Sequence, residues 1–195
     1  LIGAILFGAA LPLFAGVPAA AYLHESWTTA LAVLAMATIV VGNVAAIMQD
    51  NVKRMLAYSS IAHAGYALVG FIGAGMAKPG SVEQNAAISS VAFYMLTYAV
   101  TNMGAFAIVT LLAEKNDRRT QFEDYTGIGF KSPVLSFSLS LFMLSLLGLP
   151  LTAGFMGKVF VFSSALGTAN PLITALVVVA VLGSVRINGE VGDQV

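Results

Sequence analysis

No Asp, Glu, Lys or Arg stands between Glu25 and Asp50, between Arg54 and Lys78, or between Glu83 and Glu114. Uncharged, largely apolar stretches of that length constrain this chain more than any motif in it. A hydrocarbon core about 30 Å thick is crossed by about 20 apolar residues in a helix. Such a helix also satisfies its own backbone hydrogen bonds, which lipid cannot do. The residue balance agrees, with 58% hydrophobic and only 9% charged, where soluble domains carry about 25% charged residues. The expected fold class is an all-α polytopic membrane protein.

Six runs read as spans: 1–22, 28–48, 56–77, 86–113, 133–166 and 171–185, with a polar tail over 186–195. Pro12 and Pro18 mark kinks in the first. The fifth is far longer than one crossing needs, and Gly148, Pro150, Gly154 and Gly157 lie in its middle. That combination predicts a discontinuous helix, which a membrane tolerates only where protein or water lines the gap. Leu1 opens directly on an apolar run, so the chain is expected to be a piece of a longer protein. The tail after Ser184 is read as altered or non-native, against the alternative of a genuine short terminus. If the spans alternate, Lys53, Arg54, Lys115, Arg118, Arg119, Lys131 and Arg186 share one side, and Lys78 faces the other. The Lys/Arg excess makes the first side cytoplasmic.

Several functions are excluded on composition. The chain has no cysteine, which rules out disulfides, iron–sulfur ligation and thiolate metal sites within it. Its two histidines, His24 and His63, stand far apart, so no metal cluster is expected. Formal net charge is zero, which gives a nucleic-acid partner no electrostatic support. No strand or phosphate-binding glycine loop is present, so redox chemistry is not expected in this chain.

Ionisable groups inside spans are functional candidates by default. Lys158, within GLPLTAGFMGKVFVF, has apolar residues on both sides, which weakens the alternative of a lysine snorkelling to the headgroups. A lysine in a partly desolvated site can exchange protons near neutral pH, which suits a relay at a helix break. His63 lies about ten residues inward from Lys53 and Arg54, near mid-membrane by helical rise. Its imidazole can pass a proton along, or it is a packed histidine bonded to a neighbouring hydroxyl. Ser59, Ser60 and Tyr66 serve either as interhelical glue or as water partners. Tyr94, Thr97, Tyr98 and Thr101 follow i, i+3, i+4, i+7 spacing and share one face, with Thr97 and Tyr98 candidate polar lining. Lys53 and Arg54 read first as topology anchors and second as a proton uptake point.

Three segments then carry a resemblance: QDNVKRMLAYSSIAHAGY (49–66), FYMLTYAVTNMGAFAIV (93–109) and LSLLGLPLTAGFMGKVFVF (144–162). Together they resemble the antiporter-like membrane subunits of respiratory complex I, in order and spacing, up to about residue 184. Within that family the chain is most similar to the subunit N branch, because TYAVTNMGAFA lacks the histidine and lysine that sister subunits carry there. One sister subunit also has glutamate where Lys158 stands. The resemblance implies a larger bundle of two inverted repeats, each with a broken helix, and makes Lys158 the family's lysine at the second break. It implies proton translocation in a NADH-quinone oxidoreductase, with NADH, FMN, iron–sulfur clusters and quinone held by partner subunits. No cofactor or metal is expected in this chain. The implied partners are the other membrane subunits and the lipid bilayer, and the implied location is a bacterial plasma membrane. Sodium/proton antiporter and membrane-bound hydrogenase subunits share the KRxLAYSS and GFxGK themes and form the alternative. A structural spacer, with Lys158 merely bonded to backbone carbonyls, is a third reading.

Overall fold

Pro18 opens the first described helix, a position where its missing N–H costs nothing. A computed structural model describes residues 18–78, 80–113, 120–167, 171 and 173–181, with the backbone alone for 18–25. The first expected span up to residue 17, the cations Lys115, Arg118, Arg119 and Arg186, and the polar tail lie outside the described residues.

Helix α1 (Pro18–Ile47) runs unbroken through the polar LHESW stretch at 23–27, into the second expected span. Helix α2 (Val52–Met76) starts at Asn51, whose side chain accepts from Arg54 N at 3.2 Å. Helix α3 (Val82–Leu112) is capped by Ser81, which accepts from Gln84 N at 3.1 Å. Gln84 in turn accepts from Gly80 N (2.8 Å) and donates to Ala74 O (3.3 Å), fastening the start of α3 to the end of α2. A 3-10 turn (Phe122–Tyr125) and the short α4 (Ile128–Lys131) lead into α5 (Pro133–Leu147), and α6 (Ala153–Leu166) follows after a gap. Residues 173–181 are again helical. Among the described residues, three helices are long and apolar enough to cross a membrane: Ser26–Ile47 within α1, then α2 and α3. Helices α5 and α6 are shorter, about 22 and 21 Å at ~1.5 Å per residue, so each alone falls short of a bilayer core. They are the two halves of the discontinuous helix expected from the sequence.

Lipid is as apolar as leucine, so helices in it associate through close packing rather than through water exclusion. The glycines show how. A Cβ on Gly42 of α1 would stand 2.5 Å from Ala62 N of α2, and one on Gly65 would stand 2.6 Å from Ile39. Helix α2 is thereby pressed onto α1, and it also packs against α3 and α6. Ile39, Tyr66, Val69, Ile72, Val91, Tyr94 and Val161 form the main core, joined by Ile173, Leu176 and Ala180 from the last helical stretch. A second cluster of Val52, Leu56, Ala105, Val109 and Leu146 closes the opposite end.

At that end the α1–α2 turn meets the loop after α3. Val52 N donates to Thr120 O (2.9 Å), Phe122 N to Asp50 O (3.3 Å), and Asn51 Nδ2 to Thr120 Oγ1 (2.7 Å). Asn51 and Gln121 form an isolated antiparallel bridge. Two loops that alternating spans assign to one side are thus stitched together there.

Candidate functional site

The gap between α5 and α6 is a fully specified turn. Gly148 has φ +86°, the left-handed region that favours glycine. Its N–H donates to Leu144 O and Ser145 O (3.1 Å each), and Leu149 N donates to Leu144 O at 3.1 Å. This is a Schellman ending, which satisfies the carbonyls one turn back and leaves the last two of the helix. Those two, Leu146 O and Leu147 O, accept from Lys158 Nζ at 3.1 and 3.0 Å. The ammonium therefore sits on the negative end of the α5 dipole. Its side chain is 8% exposed.

The start of α6 is served in return. Gly154 N donates to Ser145 Oγ of α5 at 3.2 Å, and Phe155 N donates to the Thr152 hydroxyl at 3.3 Å. A Cβ on Gly154 would collide with Ser145 O, so the two half-helices meet backbone to backbone. Leu151, at the outer tip of the turn, is fully exposed with φ +78°, a conformation that costs roughly 1–2 kcal/mol for a side-chain-bearing residue. The break was expected to be lined by protein or water. The carbonyls of Leu146 and Leu147 are held by the lysine.

Lys158 opens onto a cavity of about 80 Å³ lined also by Asn43, Ser59, His63, Tyr66 and Leu146. A water needs roughly 10–15 Å³ of such space, so the cavity has room for several. The Tyr66 ring lies 5.5 Å from Lys158 Nζ, within cation–π range. Edge-on to Tyr66, with centroids 5.5 Å apart, is His63. His63 Nδ1 is 2.6 Å from Tyr94 Oη, a bond in which donor and acceptor can exchange with the tautomer. Tyr98 stacks on the same imidazole at 4.6 Å. The lysine and the imidazole thus face the same small cavity.

Gly157 explains the residue beside the lysine. A Cβ there would stand 3.0 Å from Tyr94 Cδ2. Its absence lets α6 press against Tyr94, which holds His63. The GFMGK segment thus has three jobs: Gly154 seats the break, Gly157 seats the tyrosine, and Lys158 caps α5.

The other candidates separate. Thr97 is buried, but its hydroxyl donates to Phe93 O of its own helix (2.9 Å), and Thr101 likewise bonds Thr97 O (2.8 Å). Neither lines the cavity. The Tyr98 ring reaches His63, while its hydroxyl is buried without a hydrogen bond among the described residues. Lys53 lies at the first turn of α2, about 15 Å of helical rise from His63, and takes no part in the cavity. Asn43 was missed: its Nδ2 donates to Tyr66 Oη at 3.0 Å. Its signal in the sequence was an amide inside IVVGNVAAI, an apolar run with no other polar side chain.

Comparison with known proteins matches residues 1–183 to the family described as NADH:quinone oxidoreductase/Mrp antiporter, transmembrane. The chain belongs to that family. The resemblance read from its three segments is confirmed. Among relatives within the family, NADH-quinone oxidoreductase subunit N 2 of Sorangium cellulosum (strain So ce56) is 44% identical over 159 residues, 82% of this chain and 30% of the relative. NADH-quinone oxidoreductase subunit N of Trichlorobacter lovleyi (strain ATCC BAA-1151 / DSM 17278 / SZ) is 48% identical over 139 residues, 71% of this chain and 27% of the relative. A chain in the structure of respiratory complex I from Thermus thermophilus with bound aureothin superposes with a TM-score of 0.65 at 37% identity, covering 80% of this chain and 33% of that one. The family member described here therefore spans under a third of the length of these curated relatives.

Proposed function

We propose that this chain is part of a proton-translocating membrane subunit of a NADH-quinone oxidoreductase, and that Lys158 and His63 are two stations of its proton relay. The observation that carries this reading is a buried ammonium at the carboxyl end of a broken helix, in one small cavity with a buried imidazole. The two relatives named as subunit N support the assignment over an antiporter subunit. NADH, FMN, the iron–sulfur clusters and the quinone belong to partner subunits, and the bacterial relatives favour a bacterial plasma membrane.

In this reading, redox energy released in the partners shifts the charge balance felt by buried groups. Repulsion between Lys158 and His63 makes their protonation alternate rather than coincide. Cavity water and the rings around His63 fill the space between them, and the lysine hands its proton toward the far side. The test is Lys158→Ala in the full-length subunit within its assembled complex, reconstituted in proteoliposomes. Assembly retained with proton pumping lost is the expected result. Intact assembly with undiminished pumping would return Lys158 to the role of a backbone cap.

A further inference from the structure

Asn43 is the polar residue that α1 contributes to the Lys158 cavity, beside Ala46 and Ile47. Its side chain is 5% exposed, and an unpaired amide at that depth would cost several kcal/mol. Its partner is Tyr66, through Nδ2 to Oη at 3.0 Å, with the hydroxyl also 3.4 Å from Asn43 Oδ1. Tyr66 is the ring that touches both relay groups: Lys158 Nζ over its face and His63 against its edge. Phe162 meets it edge-on from α6 at 5.9 Å. The hydroxyl at the far end of the ring is thus the remaining handle that sets its tilt between lysine and imidazole.

We propose that Asn43 is a positioning residue for proton exchange between Lys158 and His63, acting through the hydroxyl of Tyr66. This rests on the relay reading above. Among the described residues, helix α1 and helix α5 bring no titratable group to the cavity wall; Lys158 comes from α6, His63 and Tyr66 from α2. On the far side of the imidazole stand Tyr94 and Tyr98 from α3. A change in the pH profile of pumping caused by Asn43 must therefore be transmitted through the ring.

The experiment compares Asn43→Leu, Tyr66→Phe and the double variant in the full-length subunit of the assembled complex. The initial rate of proton pumping is measured in proteoliposomes across a pH range, with quinone reduction followed in parallel and Lys158→Ala alongside. Each single variant should slow pumping about two- to tenfold, the scale of one buried hydrogen bond, and displace the pH optimum in the same direction. The double variant should be no slower than the slower single one. A wild-type pH profile for Asn43→Leu, or effects that multiply in the double variant, would overturn the proposal. Should Asn43→Leu fail to assemble, Tyr66→Phe decides, since it removes one hydroxyl: a displaced profile supports the role and a wild-type profile ends it. Pumping retained in Lys158→Ala would instead sink the relay reading itself. Pumping lost there, with Asn43→Leu unaltered, removes only the positioning role.

Discussion

Lys158 combines two separable properties, a hydrogen-bond cap and a removable proton. Arginine keeps the first and lacks the second, because its guanidinium stays protonated. Lys158→Arg should assemble normally and fail to pump. Lys158→Met should lose both properties while still assembling: removing the bonds to the Leu146 and Leu147 carbonyls costs about 1–3 kcal/mol each, measurable as a lower unfolding temperature of the purified complex. The sequence made Lys158 and His63 visible because each is an ionisable side chain in an otherwise apolar run. Asn43 and Tyr66 were not legible as a pair. Their meeting depends on the rotation of α1 against α2, which Gly42 and Gly65 set through close packing, and residues 23 positions apart leave no local trace of it.

Helices α5 and α6 behave as one element with a joint. Gly148→Ala would meet both the left-handed φ penalty of roughly 1–2 kcal/mol and a Cβ placed 3.2 Å from Lys158 Nζ. The expected outcome is less assembled complex on native gels, with part of the loss recovered at lower growth temperature. Gly157→Ala tests the other side of the joint. Overpacking there costs about 1–3 kcal/mol and displaces Tyr94 from His63, so pumping should fall even where assembly survives. Proline and glycine spacing was enough to place the break. It could not supply the pairing of caps, because Ser145 and Lys158 each serve a backbone on the opposite side of the gap. Thr97 and Thr101 show the converse limit: helical spacing put them on one face correctly, yet their hydroxyls are absorbed by their own helix.

At the level of the whole molecule, the bridge at Asn51 and Gln121 ties two loops to one membrane face. Single cysteines introduced as Asp50→Cys and Asp124→Cys in the full-length subunit should react with an impermeant maleimide from the cytoplasmic side. Gly80→Cys, in the α2–α3 turn, should react only from the opposite side. Labelling of residues 50 and 124 from different sides would contradict the topology. The alternation of apolar runs already implied that arrangement, whereas the direct hydrogen bonding between the loops could not be foreseen from their polar composition. The reciprocal caps across the break have a consequence for descent. Ser145 and Lys158 each complete the other half-helix's backbone, so a lineage that replaces either residue must at the same time find another donor or acceptor for the strand of chain it served. A substitution at either position should therefore be accompanied in the family by a new donor or acceptor for the same backbone groups, even though the two positions stand thirteen apart in sequence.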